Sequence, residues 1–368
     1  MGPAGPHFAM IRRPMVLRAP ALALAAAVLS VWLPWGRRPR PVPPEGQSSL
    51  LRDPVGFLQR VGGLSSAELA SLEKGAVVAK IVDTVDRSEV FALSVMRVKT
   101  TPERALKTLR DLGGFRGAPW ILESGTVGAT PSPRDFDAMT LDPGDVKHLA
   151  KCVMNNCELR LPVEEMERFR KEVDWSSETR TARANALFRQ MLASYAAAYL
   201  QRGNAALFKY DNNDDPVRIA DSLHLVIPRL EVVRDTVPDL HDYLESFPQD
   251  RPDDAEEVLY WMKERFWLVN VLSMSHSTIC NRTTPSGRIV LAVSKQLYAN
   301  HYYESSVGAT FFVEGSAGWG PHVVYVNRTR ADIRRNGFTW VERVLLKYLV
   351  KDRVDAQSKY LRQQLERP

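Results

Sequence analysis

Between Glu256 and Asn327 the sequence runs through segments rich in valine, isoleucine, tyrosine and phenylalanine, with no helical period between them. Val258 to Phe266, Leu268 to Cys280, Ile289 to Val313 and His322 to Asn327 read as strands. Thr284-Pro285-Ser286-Gly287 and Gly315-Ser316-Ala317-Gly318 read as the loops that separate three of these runs. Strands joined by turns alone pair antiparallel, because a parallel neighbour needs a long crossover. A single long helix then closes the chain, with Val341, Val344, Leu345, Tyr348 and Leu349 on one side.

Upstream, Ser65 and Glu68 form a capping box, and Gly75 closes the short helix they open. Val77 to Val82 and Glu89 to Val98 read as strands around a turn at Asp83–Ser88. Thr101 then caps a helix whose first position is Pro102 and which runs to Leu112, before Gly113 and Gly114. The middle is helical: Pro143 to Lys151, Pro162 to Val173, Glu178 to Arg202, and less regular helix over Ile219 to Phe247. In the third of these, Ala184, Leu187, Phe188, Met191, Leu192, Tyr195 and Tyr199 recur at three and four, the stripe of a helix packed on a core. Strand, helix, helical block, meander and long final helix make an α+β fold.

Charge fixes the outer boundary. Residues 1–44 hold six arginines (Arg12, Arg13, Arg18, Arg37, Arg38 and Arg40), no lysine and no acid. The remainder carries 43 basic against 43 acidic residues, so the pI of 9.2 belongs to the first segment and the body is neutral. That excludes a nucleic-acid binder. Arginines ahead of the apolar run Ala19–Trp35 read as a secretory signal, with Ala25, Ala26 and Ala27 as an A-x-A site, or as an uncleaved membrane anchor. Pro39 to Pro44 is an extended spacer. The expected organisation is 1–44 leader or anchor with spacer, then 45–368 as one α+β domain with a helical insertion at about 140–250. The expected location is the cell envelope, with the N-terminal segment in the membrane.

Two resemblances add to this. Thr140-Leu141-Asp142-Pro143, Lys151-Cys152, Cys157-Glu158-Leu159-Arg160-Leu161-Pro162, Tyr260-Trp261-Met262-Lys263-Glu264-Arg265-Phe266, the Ser294 to Tyr303 run and Val326-Asn327-Arg328-Thr329-Arg330 resemble a family of uncharacterised exported bacterial proteins. Serine is expected there at the Met262 position, and that family transfers no activity. A strand leading into Thr101-Pro102-Glu103-Arg104, then a meander with a long final helix, is similar in architecture to the START-like helix-grip fold. That likeness implies an apolar ligand cavity between sheet and helix. The helical insertion departs from its pattern.

Chemistry-bearing motifs are sparse. Cys152 and Cys157 bracket a turn-forming Asn155-Asn156 and read as a disulfide in an oxidising compartment. So short a loop stabilises less than the usual ~2–4 kcal/mol. Two buried thiols, or a metal site completed by His148 one turn before Cys152, are the alternatives. Asp211-Asn212-Asn213-Asp214-Asp215 lacks the glycine and glutamate of a calcium loop and reads as a solvated turn. Cys280 reads as core. No nucleophile elbow, P-loop, dinucleotide fingerprint or zinc-protease motif occurs, so no cofactor or metal is expected.

These readings converge on a non-enzymatic envelope protein that binds a lipid or acyl chain. The expected lining is Trp261, Leu291, Val293, Tyr298, Phe311 and Tyr325, with His301, Tyr303 or Arg328 orienting a polar end. The rivals are a hydrolase using His276, His301 and Glu304, and a partner-docking protein with no cavity.

Overall fold

Alternation along the C-terminal strands decides how the molecule is layered. The computed structural model describes residues 50–86, 88–111, 115–266, 269–315, 319–331 and 340–367, all within the unit Gly46–Pro368. The predicted leader, Gly113–Gly114 and Ser316–Gly318 lie outside these residues, as do the side chains of Val341, Val344 and Leu345.

The described strands are β1 (Val77–Val82), β2 (Glu89–Arg97), β3 (Ile121–Val127), the short pair β4 (Lys209–Tyr210) and β5 (Val217–Arg218), β6 (Glu256–Phe266), β7 (Val269–Thr284), β8 (Gly287–Ala299), β9 (Tyr303–Gly315) and β10 (His322–Ala331). The described helices are α1 (Pro54–Gly62), α2 (Ser66–Glu73), α3 (Pro102–Arg110), α4 (Pro143–Leu149), α5 (Val163–Glu172), α6 (Arg180–Arg202), α7 (Ile219–Val226), α8 (Glu231–Thr236), α9 (Pro238–Ser246) and α10 (Trp340–Glu366). Eight strands form one antiparallel sheet in the order β1-β2-β10-β9-β8-β7-β6-β3. The fold is α+β, with the meander β6–β10 at its centre and α10 laid across it.

Local chemistry explains the element starts. Ser65 Oγ accepts from Glu68 N at 3.2 Å, and Glu68 Oε2 accepts from Ser65 N at 2.7 Å, completing the α2 capping box. Thr101 Oγ1 accepts from Arg104 N, and Pro102 opens α3 where its missing N–H costs nothing.

The sheet has two faces. Along β8, Leu291, Val293 and Lys295 point into the core formed with α4–α9, while Ala292, Ser294 and Gln296 point the other way. On that second face Met96, Val290, Phe312 and Val323 pack against α3 and the end of α10, where Leu361 and Leu365 are buried. Among the described side chains of α10, Val354, Ser358, Leu361 and Leu365 are buried, and they recur at four, three and four. Ser94 Oγ and Ser358 Oγ meet at 2.6 Å, and Thr100 Oγ1 donates to Leu365 O at 2.8 Å, fastening α10 to β2 and the loop after it.

Three expectations need correction. Ile289–Val313 is two strands, β8 and β9, broken by a tight turn at Asn300–Tyr302 that contains neither glycine nor proline. Ile121–Val127, not expected as a strand, forms the edge beside β6. Finally, no helix among the described residues is long and apolar enough to cross a membrane. The transmembrane helix and membrane partner expected from Ala19–Trp35 are withdrawn on that finding, and that segment lies outside the described residues.

Candidate functional site

Beneath the first half of the described face of α10 the sheet does not close onto the helix. A cavity of about 860 Å³ lies there, roofed by Val350, Arg353, Val354 and Gln357. Its floor is the second face of β6–β10. Ser273 and Ser275 of β7, Ser294 and Gln296 of β8, Ser306 and Thr310 of β9, and Asn327 and Thr329 of β10 face it in alternate positions. Tyr260, Met262, Phe266, Tyr303 and Tyr325 supply the apolar surface between them.

Part of this polar floor is internally bonded. Tyr260 Oη donates to Ser294 Oγ at 3.1 Å, Asn327 Nδ2 donates to Ser306 Oγ at 3.1 Å, and Thr329 Oγ1 donates to Asn327 Oδ1 at 2.6 Å. Burial pushes the phenols of Tyr260, Tyr303 and Tyr325 up, so they stay neutral. At one wall Glu264 Oε2 lies 3.5 Å from Arg353 Nη1. Burial holds the Glu264 carboxyl above its usual range, against the pull of the Arg353 charge. Arg353 also donates to Arg265 O and lies over the rings of Trp120 and Phe266.

The mouth is built from the turn after β8. His301 Nε2 is 3.0 Å from Asp145 Oδ1, and Asn300 Nδ2 donates to Asp145 Oδ2 at 2.9 Å. Around it sit the loop closed by the Cys152–Cys157 disulfide and the turn at Asn212–Asn213. Asn155 N donates to Asp211 O at 2.8 Å and Cys157 N to Asn212 O at 3.0 Å, so the two loops are joined. The bridge occupies both sulfurs, which removes the metal reading with His148.

The structure divides the residues expected to line the cavity. Tyr303, Tyr325 and His301 do so. Trp261, Leu291, Val293, Tyr298 and Phe311 lie on the opposite face, in the core: the first three and Phe311 sit one position out of phase with their cavity-facing neighbours, and Tyr298, two after Gln296, is turned there by the register irregularity between β7 and β8 at Met274/Ser275. Trp261 stacks on Phe136 and donates to Asp135 O at 2.9 Å, a structural role. Arg328 also points away: it pairs with buried Glu89 and lies 4.0 Å over the Phe91 ring.

The expected hydrolase group is not assembled. His276 faces the helical block, where Nδ1 meets Tyr199 Oη at 2.9 Å and Nε2 lies 3.2 Å from Glu257. Burial lowers its pKa despite the nearby Glu257 carboxylate, which pulls the other way. Glu304 is paired with Arg330 at 3.6 Å, and His301 is on the other side of the sheet from His276.

No family model matches the chain, and no curated protein matches it; membership of an exported bacterial family therefore gains no support. Among solved structures, the di-domain aromatase/cyclase BexL from the BE-7585A biosynthetic pathway is 13% identical, with 85% of this chain and 95% of that chain covered, at a TM-score of 0.22. A likeness of that size carries no argument.

Proposed function

We propose that the protein binds a small amphipathic molecule in the cavity between the sheet and α10. The observation that carries this reading is the lining itself. A volume of about 860 Å³ is within the range of small-molecule sites, and it lies where one face of the sheet changes from apolar to polar side chains. A bare acyl chain would strip water from Ser273, Gln296 and Thr310 without replacing it, at ~1–3 kcal/mol for each unsatisfied group. A ligand with an apolar body against Met262, Phe266, Val350 and Val354 and several hydroxyl or carbonyl groups on its rim matches both surfaces. The ligand class is thereby narrowed from lipid in general to molecules with polar groups along their length. The disulfide beside the mouth supports an exported protein of the cell envelope, since such bridges persist in oxidising compartments.

The test uses 8-anilinonaphthalene-1-sulfonate, two aromatic groups with one anionic end, on the full chain. Saturable fluorescence enhancement with one site per chain is expected, abolished by Gln296→Trp, which fills the cavity from β8. Enhancement unchanged in that variant, with its circular dichroism intact, contradicts the proposal.

A further inference from the structure

We infer that the cavity is also a site of proton transfer, with His301 at its mouth as the general base and then acid; this rests on the binding reading above. The arrangement around His301 is over-determined for a surface turn. Asp145 is buried, takes His301 Nε2 on one oxygen at 3.0 Å and Asn300 Nδ2 on the other at 2.9 Å. Asn300 is itself fixed to β7: its Oδ1 accepts from Leu272 N at 2.8 Å and its main-chain N donates to Leu272 O at 3.0 Å. A carboxylate that is held by a third group and binds one imidazole nitrogen sets the tautomer and leaves the lone pair on the other. With the proton on Nε2 facing Asp145, that lone pair is on Nδ1, which makes no hydrogen bond among the described residues.

The backbone carries a second, independent mark. Tyr302 has φ 59°, in the left-handed region that an aromatic residue seldom adopts. Holding it there costs on the order of 1–3 kcal/mol. The conformation is clamped by Arg160 Nη2, which donates to Tyr302 O at 3.2 Å, and by Tyr303 N, which donates to His301 O at 2.7 Å. Strain kept at a turn that presents one imidazole to a cavity is strain kept for a site. Ser273, paired with Ala299 two positions before His301, supplies a hydroxyl donor at the same end for charge that develops on an oxygen.

The step needs no co-reactant. A C–H proton next to a carbonyl of the bound molecule passes to Nδ1, the electron pair moves onto the carbonyl oxygen, and the imidazolium returns the proton to a different atom. Asp145 is a positioning residue that stabilises the imidazolium. The substrate class is a small amphipathic carbonyl compound with an acidic α-hydrogen.

The probe is 5-nitrobenzisoxazole. A base takes its C3 proton, the C–H electron pair forms the nitrile, and the N–O bond breaks to release a coloured phenolate. The full chain is expected to release phenolate with saturation. His301→Gln should lower the saturated rate about 10²-fold without changing the half-saturating concentration. Asp145→Asn should lower that rate and leave the half-saturating concentration unchanged; a merely structural role would distort the mouth and move the two together. His224→Gln, at an exposed histidine, should change nothing. Saturable release that His301→Gln does not slow overturns the proton-transfer inference and leaves binding standing. Absence of any saturable interaction overturns both.

Discussion

Lys295 shows how a single residue reports on its face of the sheet. Its side chain is buried with Nζ donating to Asn204 Oδ1 at 2.7 Å and to Leu244 O at 3.0 Å, over the rings of Tyr199 and Phe247. A neutral amine has two N–H donors and so satisfies both acceptors without a buried charge. Burial accordingly lowers its pKa to about 7, with Glu257 pulling the other way. In the unfolded chain lysine titrates at about 10.4, so between about 7 and 10.4 the unfolded state holds the extra proton. Stability should therefore rise with pH across that window, and Lys295→Met should flatten the rise. Urea midpoints measured from pH 7 to 10 check this; a midpoint that falls with pH in the wild type contradicts it. At this scale the sequence was half legible. Tyr303, Tyr325 and His301 were visible as cavity residues by their type. Leu291, Val293 and Phe311 drew attention as apolar, yet the cavity takes the polar alternate positions, Ser294, Gln296, Ser306 and Thr310. The available signal was a period-two run of hydroxyl and amide residues inside strands that are otherwise core.

At the level of elements, two contacts decide whether the cavity has a roof and a rim. Leu361 of α10 is 2% exposed against Met96, Val290, Phe312 and Val323. Leu361→Ala should destabilise the protein by about 3 kcal/mol, read as a lowered urea midpoint with unchanged slope. A loss below about 1 kcal/mol would mean α10 does not depend on this face. The disulfide at the rim closes a loop of very few residues. The Cys152→Ser, Cys157→Ser double variant should lose no more than about 2 kcal/mol. Protein recovered from its own host and denatured without reductant should titrate one thiol, Cys280, whose pKa burial pushes up to about 12 in the fold; three thiols would contradict both the bridge and the oxidising location. The strands β1, β2, β6, β7 and β10 and the helices α2, α3 and α6 were legible from capping residues and hydrophobic period. The turn at Asn300–Tyr302 was not, because Asn300 is its one usual turn residue and the left-handed position is filled by Tyr302 instead of glycine or asparagine. Missing that turn hid the pairing of His301 with Asp145, which are far apart in sequence.

For the whole molecule, one sheet serves two purposes. Its first face is closed by α4–α9 into a continuous core that includes Trp261, Tyr298 and Phe311. Its second face is sealed at one end by α3 and the end of α10 and left open at the other. The general order of strands and helices followed from the sequence, but which face would stay open depended on where α10 stops descending into the sheet, a matter of packing between segments far apart in the chain. The most direct measurement is native mass spectrometry of the full chain purified from its own host, beside the Gln296→Trp variant. Wild type carrying a non-covalent small molecule at one per chain, absent from the variant, is the predicted result. Wild type and variant with identical ligand-free masses, both folded, would contradict it.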